Sequence, residues 1–148
     1  MQHLKEPVPI MDNPLLAYPG YLLKRAASSR LSLLARHLEP LGVGVSEASI
    51  VTLIDRNPDI SQAECGRLLS IQRTNLNPIT RRLTDRGIVV SSKGPGRTQH
   101  LRLSEAGAAL AKQIVLEFEA HEARIYASVP EHLRPELLGL LRGLAVHD

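Results

Sequence analysis

Between positions 73 and 81 the chain runs RTNLNPITR, and the side chains able to donate hydrogen bonds include Arg73, Thr74, Asn75, Asn77 and Arg81. At 100° per residue, Thr74, Asn77, Pro78, Arg81 and Asp85 share one helix face, opposite a stripe of Leu76, Ile79 and Leu83. Guanidinium and amide groups displayed in this way match phosphates and the edges of base pairs, Arg bidentately. Two further cations, Lys93 and Arg97, flank the turn Lys93-Gly94-Pro95-Gly96-Arg97. Gln62, at the start of the preceding helical segment, can donate to a phosphate where the helix dipole favours an anion. The plain alternative for each of these residues is a solvated polar face.

The elements that position them follow from local signals. Ser61-Gln62-Ala63-Glu64 is a capping box, in which the Ser hydroxyl and the Glu carboxylate each satisfy an orphan amide. The helix it opens is expected to turn Cys65, Leu68 and Leu69 inward and to end near Ser70. A second helix is expected from near Arg73 to Arg86, with a late or bent start caused by Pro78, whose ring removes the bond to the Thr74 carbonyl. Gly87 suits a helix C-terminus, and the β-branched Ile88, Val89 and Val90 begin a strand. Leu101 and Leu103 alternate with His100 and Arg102 in the return strand. Two helices and a two-stranded hairpin make a winged helix-turn-helix over residues 46–103, with Lys93 and Arg97 at the wing tip.

Around this unit the pattern is helical. Pro7, Pro9, Pro14 and Pro19 mark residues 1–19 as an arm. Leu23, Ala27, Leu31, Leu34 and Leu38 recur at helical steps from Gly20 to His37, before Pro40 and Gly42. Ser46 suits an N-cap for a short buried helix closed by Asn57-Pro58. Ser104 can cap a long helix with Leu110, Ile114, Phe118 and Ile125 on one side. Ser128-Val129-Pro130-Glu131 has the form of a second capping box, opening a helix in which leucines at 133, 137, 138, 140, 141 and 144 cover more than one stripe. The surplus apolar face suggests a subunit interface, so residues 20–45 and 104–148 are expected to form a dimerisation region. The rival is a thickly covered helix in a monomer core.

The charge distribution supports a polyanionic partner. The 148 residues carry a net charge of +3. Between Ser61 and Leu103, however, eight cations face only Glu64 and Asp85, and seven of the eight are Arg. Aromatic residues make up 3% of the chain and lie outside this segment, and single-strand readers need such rings as stacking platforms. Double-stranded DNA is therefore the expected partner. The chain has the composition of an ordinary globular domain. It lacks an apolar run of membrane-spanning length and begins without the apolar stretch of a signal peptide, so a cytoplasmic location without membrane association is expected.

Other chemistry finds less support. Cys65 stands alone, in a packing stripe where a thiol is inert. Glu117 and His121, with His37, offer a weak metal-ligand pattern, and a solvated helix face is preferred. Gly139-x-x-x-Gly143 is a hint of close helix contact. The sequence contains no GxSxG, HExxH or phosphate-binding loop, and Gly94-Pro95-Gly96 lacks dinucleotide-fingerprint spacing. Neither an enzyme nor a cofactor is expected.

The order of segments from Gly20 onward resembles the MarR family of bacterial transcriptional regulators. The likeness rests on Ser46-Glu47, on ISQAECGRLLSIQRTNLNPITRRLTDRGIV at positions 60–89, and on LRLSEAG at 101–107. It implies a mainly α fold with a small β-hairpin wing, and a homodimer whose first and last two helices interleave. It also implies recognition helices in successive major grooves, wings at the minor groove, and release by a small aromatic or phenolic effector. The family's wing usually carries an Asp two residues before an Arg; here Pro95 and Arg97 occupy those positions, and Lys93 can add a phosphate contact. The expected function is a sequence-specific double-stranded DNA-binding repressor. The alternatives are a metal- or ligand-sensing regulator acting through a protein partner, and an architectural DNA binder without sequence choice.

Overall fold

The computed structural model describes residues 12–145. The first eleven residues of the expected arm lie outside the described residues. The chain divides into two units between Leu33 and Leu34. In the first, the Asn13 side chain accepts from the Leu15 amide at 3.1 Å and caps a short 3-10 turn at Pro14–Ala17. Helix α1 (Pro19–Leu38) follows, and within this unit Leu22, Leu23 and Leu31 are exposed.

The second unit holds the core. Leu34 and Leu38, from the end of α1, pack with Ile50, Val51 and Ile54 of α2 (Val45–Arg56), Leu76 and Leu83 of α4 (Arg73–Asp85), and Ile114 of α5 (Glu105–Ala127). Side chains of this size, taken fully out of water, each stabilise the fold by roughly 1.5–3 kcal/mol.

Helix α2 begins two residues earlier than its serine suggests. Gly44 is the N-cap, and Glu47 reaches back to accept from the Gly44 amide at 3.0 Å, whereas Ser46 lies inside the helix. The reciprocal cap at Ser61 forms as expected: Glu64 N donates to Ser61 Oγ and Ser61 N to Glu64 Oε2, both at 3.2 Å. It opens α3 (Gln62–Leu68), which buries Cys65 and Gly66. Leu68 is exposed, contrary to expectation, because the helix ends there and Gly66 takes the inward position beside Leu76.

Helix α4 starts at Arg73 and keeps Pro78 as its sixth residue, so the expected late start does not occur. Thr74 and Pro78 both lie on the exposed face, where water can serve the freed Thr74 carbonyl. The helix closes in a Schellman motif. Gly87, at φ 69°, donates to Thr84 O, and Ile88 N donates to Leu83 O, both at 2.9 Å.

The sheet has three strands rather than two. β2 (Val89–Lys93) and β3 (Gln99–Leu103) form the hairpin, and β1 (Ile60–Ser61) pairs antiparallel with β3, Ile60 opposite Leu101 and Ser61 opposite His100. Two residues carry too little alternation to announce a strand, and their partner lies forty positions away.

Ser104 caps α5 by accepting from the Gly107 amide at 3.0 Å. Its buried line is Gly107, Ala111, Ile114 and His121, with Leu110, Phe118 and Ile125 half-buried beside it. The second capping box does not form. Ser128 ends α5 in helical geometry and donates to Ile125 O at 2.7 Å; a 3-10 turn at Glu131–Leu133 then leads into α6 (Arg134–Ala145). None of the described residues of α6 is buried, and Leu138, Leu140, Leu141 and Leu144 are exposed, so the monomer-core reading of this helix fails.

Candidate nucleic-acid interface

A cleft of about 920 Å³ lies between α3, α4 and the wing. Gln62, Arg73, Asn77, Arg81 and Arg97 line it, five of the eight residues singled out from sequence. Thr74, Asn75 and Lys93 are exposed but stand outside its walls. Arg67 and Gln99 line it as well and were not anticipated. The signal for Arg67 was available: Ala63, Gly66 and Arg67 share the face of α3 that turns toward α4.

The arginines of this segment divide into two groups. Arg82 Nε reaches Glu47 Oε1 at 3.3 Å and Arg86 approaches Glu47 Oε2 at 3.8 Å, tying α4 to α2. Arg102 pairs with Asp59 across the sheet and holds that carboxyl below its ordinary value. Arg67, Arg73, Arg81, Lys93 and Arg97 have no ion-pair partner among the described residues and are all exposed. The unpaired cations of this segment are therefore these five, while Arg82 and Arg86 share the one carboxylate of Glu47 and Arg102 pairs with Asp59.

The wing tip is shaped by its backbone. Gly96 and Arg97 adopt left-handed conformations in succession, at φ 68° and 65°. The Gly94 amide donates to Thr98 O at 2.7 Å and the Thr98 hydroxyl donates to Pro95 O. An Asp at position 95 is not needed to close this turn. A Cβ on Gly94 would run into the His100 ring, which would have to turn aside, so glycine lets that ring lie under the tip undisturbed.

Helix α4 reaches the surface in a fixed orientation because its inner side is satisfied. Leu76 and Leu83 are buried, and the buried Thr80 hydroxyl donates to the carbonyls of Leu76 and Asn77 at 3.2 and 3.1 Å. Across the cleft Gln62 Nε2 donates to Asn77 Oδ1 at 2.5 Å.

The remaining candidates lie elsewhere. Cys65 is buried, and burial pushes its thiol up to about 11, where little thiolate forms at neutral pH. His37 lies 3.9 Å from Glu117 and 2.7 Å from Arg124, and among the described residues no group of three His, Cys, Asp or Glu side chains converges to hold a metal. No helix among the described residues is long and apolar enough to cross a membrane.

Three helices around a small sheet, with a basic helix-and-wing face, define a winged helix-turn-helix protein of the nucleic-acid-binding class. No family model matches the chain. The HTH-type transcriptional repressor Rv2887 of Mycobacterium tuberculosis is 30% identical over 135 residues, covering 90% of this chain and 94% of the relative. The transcriptional repressor CouR bound to a 23-mer DNA duplex superposes with a TM-score of 0.84 at 26% identity, over 92% of this chain and 99% of the other. The MarR family protein Rv2887 in complex with p-aminosalicylic acid superposes with a TM-score of 0.69 at 28% identity, over 86% and 98% of the two chains. The chain belongs to the MarR family of helix-turn-helix transcriptional regulators.

Proposed function

We propose that the protein is a homodimeric repressor that reads a pseudo-palindromic DNA duplex and is released by a small aromatic acid. Residues 46–103 form the reading head. Arg73, Thr74, Asn75, Asn77 and Arg81 on α4 face the major groove, and Lys93 and Arg97 on the wing contact the backbone and minor groove. The observation that carries this reading is the division of the arginines within residues 61–103: those without an ion-pair partner among the described residues, Arg67, Arg73, Arg81 and Arg97, line one cleft between α3, α4 and the wing.

The dimer is supported by large leucines left exposed among the described residues: Leu138, Leu140, Leu141 and Leu144 on α6, and separately Leu22, Leu23 and Leu31 on α1. A twofold pair of heads would span half-sites about one helical turn apart, roughly 34–36 Å. Release requires only that the effector bind more tightly to a dimer whose heads are wrongly spaced. The relatives named above supply the chemistry, a repressor seated on duplex DNA and a complex with p-aminosalicylic acid.

Fluorescence anisotropy with labelled duplexes at two salt concentrations tests the proposal. A strong preference for one enriched sequence should persist as salt rises, and p-aminosalicylate should reduce it. Equal affinity for all duplexes, lost in parallel with added salt, would instead identify an architectural binder.

A further inference from the structure

We propose that Gln62 is a positioning residue for base reading: it turns the Asn77 amide so that only its NH₂ group faces the duplex. The inference rests on the DNA-reading role given to α4. Gln62 Nε2 donates to Asn77 Oδ1 at 2.5 Å, a bond between α3 and α4 across fifteen positions of sequence. Both ends stand on rigid supports. Gln62 is the first residue of α3, enclosed by the Ser61–Glu64 reciprocal cap and two residues after the pairing of Ile60 with Leu101. Asn77 follows the buried Leu76, and its own carbonyl accepts the Thr80 hydroxyl.

A carboxamide carries its acceptor and its donors on opposite arms, so holding Oδ1 toward α3 aims Nδ2 away from it, into the cleft that Asn77 lines. The consequence concerns which base can be read. A free Asn pairs bidentately with adenine, accepting from N6 and donating to N7; guanine offers acceptors only, at N7 and O6. With Oδ1 turned toward α3, Asn77 presents its donor and not its acceptor to the duplex and loses the bidentate adenine pattern. Guanine, with acceptors at both N7 and O6, is the base that suits a donor alone best.

The experiment begins with duplex DNA enriched by the protein from a random pool, each position then replaced by all four bases. The Asn77→Ala protein identifies the position that Asn77 reads, as the one where base preference disappears. In Gln62→Ala the preference for guanine over adenine at that same position should fall about fivefold or more, the low end of what one base contact discriminates. Preferences elsewhere should stay unchanged, and Gln62→Ala should add nothing when combined with Asn77→Ala. In Gln62→Glu the side chain can only accept, so Asn77 must turn its NH₂ inward and preference should move to adenine or cytosine. Thermal melting confirms that the variants fold.

An even loss of affinity on every sequence, additive with Asn77→Ala, makes Gln62 a phosphate contact and overturns the proposal. So does an unchanged preference in both Gln62 variants. If the unmodified protein enriches no sequence at all, the DNA-reading role of α4 itself falls, a result distinct from either.

Discussion

The carbonyl oxygen of Ile88 lies 2.1 Å from where a Cβ on residue 107 would stand, so only a glycine at 107 lets the first turn of α5 rest on the chain entering the wing. The same carbonyl accepts from Ser104 N at 3.0 Å, and the Ser104 hydroxyl caps the Gly107 amide. One small contact thus joins the end of α4, the start of β2 and the start of α5, three elements that set the wing's direction.

Gly107→Ala forces that backbone contact apart. The expected loss of stability is about 3 kcal/mol, at the upper end of ordinary overpacking because the neighbour is backbone and cannot rotate away. Urea denaturation checks it: the midpoint should fall with the slope unchanged. An unaltered midpoint would mean that the seam between α5 and the wing is looser than the geometry indicates.

Adjacent arginines on α4 should behave oppositely. Arg81→Ala is expected to reduce discrimination between operator and mismatched duplexes by roughly 1–3 kcal/mol. Arg82→Ala breaks only the tie to Glu47, which is mostly buried while Arg82 is largely exposed, and should cost less than about 1 kcal/mol of stability with base preference intact. Arg97→Ala should weaken all duplexes evenly and lower the salt slope by about one. Parallel anisotropy titrations separate the three. Equal effects of Arg81→Ala and Arg82→Ala on base preference would place the reading face wrongly.

Two carboxylates make stability depend on acid pH. The Arg102 guanidinium lowers the Asp59 carboxyl from its ordinary 3.8, and the Ser61 hydroxyl and amide lower Glu64 from 4.5. A carboxyl whose folded value is depressed contributes stability fully above its unfolded value, and that contribution is lost as pH falls through the folded value. Stability should therefore decline below about pH 4.5, and less steeply in Asp59→Asn and Glu64→Gln proteins, which start lower at neutral pH. Both groups are solvent-exposed, so the effect is modest. Denaturation curves between pH 6 and 3, run as about six steps, decide the matter; identical acid limbs in parent and variants would contradict it.

Leu140 and Leu144 are 63% and 65% exposed, so replacing both by Glu removes little packing inside one chain. If α6 lies at the twofold seam, the double variant should sediment near the 16.2 kDa of a single chain where the parent sediments at about twice that. Operator affinity should fall with it, since two heads bind one site. A parent that already sediments as a single chain at all concentrations would remove the basis for the dimer.

What the amino-acid sequence determined by itself was set by signals a few residues long. The Ser61–Glu64 cap, the 3.6-residue stripes of α4 and α5, the stop at Gly87 and the alternation of β3 act between neighbours. Their energetics hardly depend on the rest of the chain. The same local logic misplaced the helix starts at Ser46 and Ser128, because a capping residue works only where the backbone is free to take the cap conformation. Pro78 did not delay α4, since the buried Leu76 and Leu83 anchor the helix on either side of it.

Only the tertiary structure decided which cations remain available. Arg82 and Arg86 meet Glu47 from another helix, and Arg102 meets Asp59 forty-three residues away. The strand at Ile60 exists because Leu101 pairs with it, and Gln62 finds Asn77 because two short helices cross. Such partners are chosen by distance in space, which a linear pattern does not record. The sequence therefore shows how much positive charge the segment carries, and the fold shows which part of it is left without a carboxylate partner.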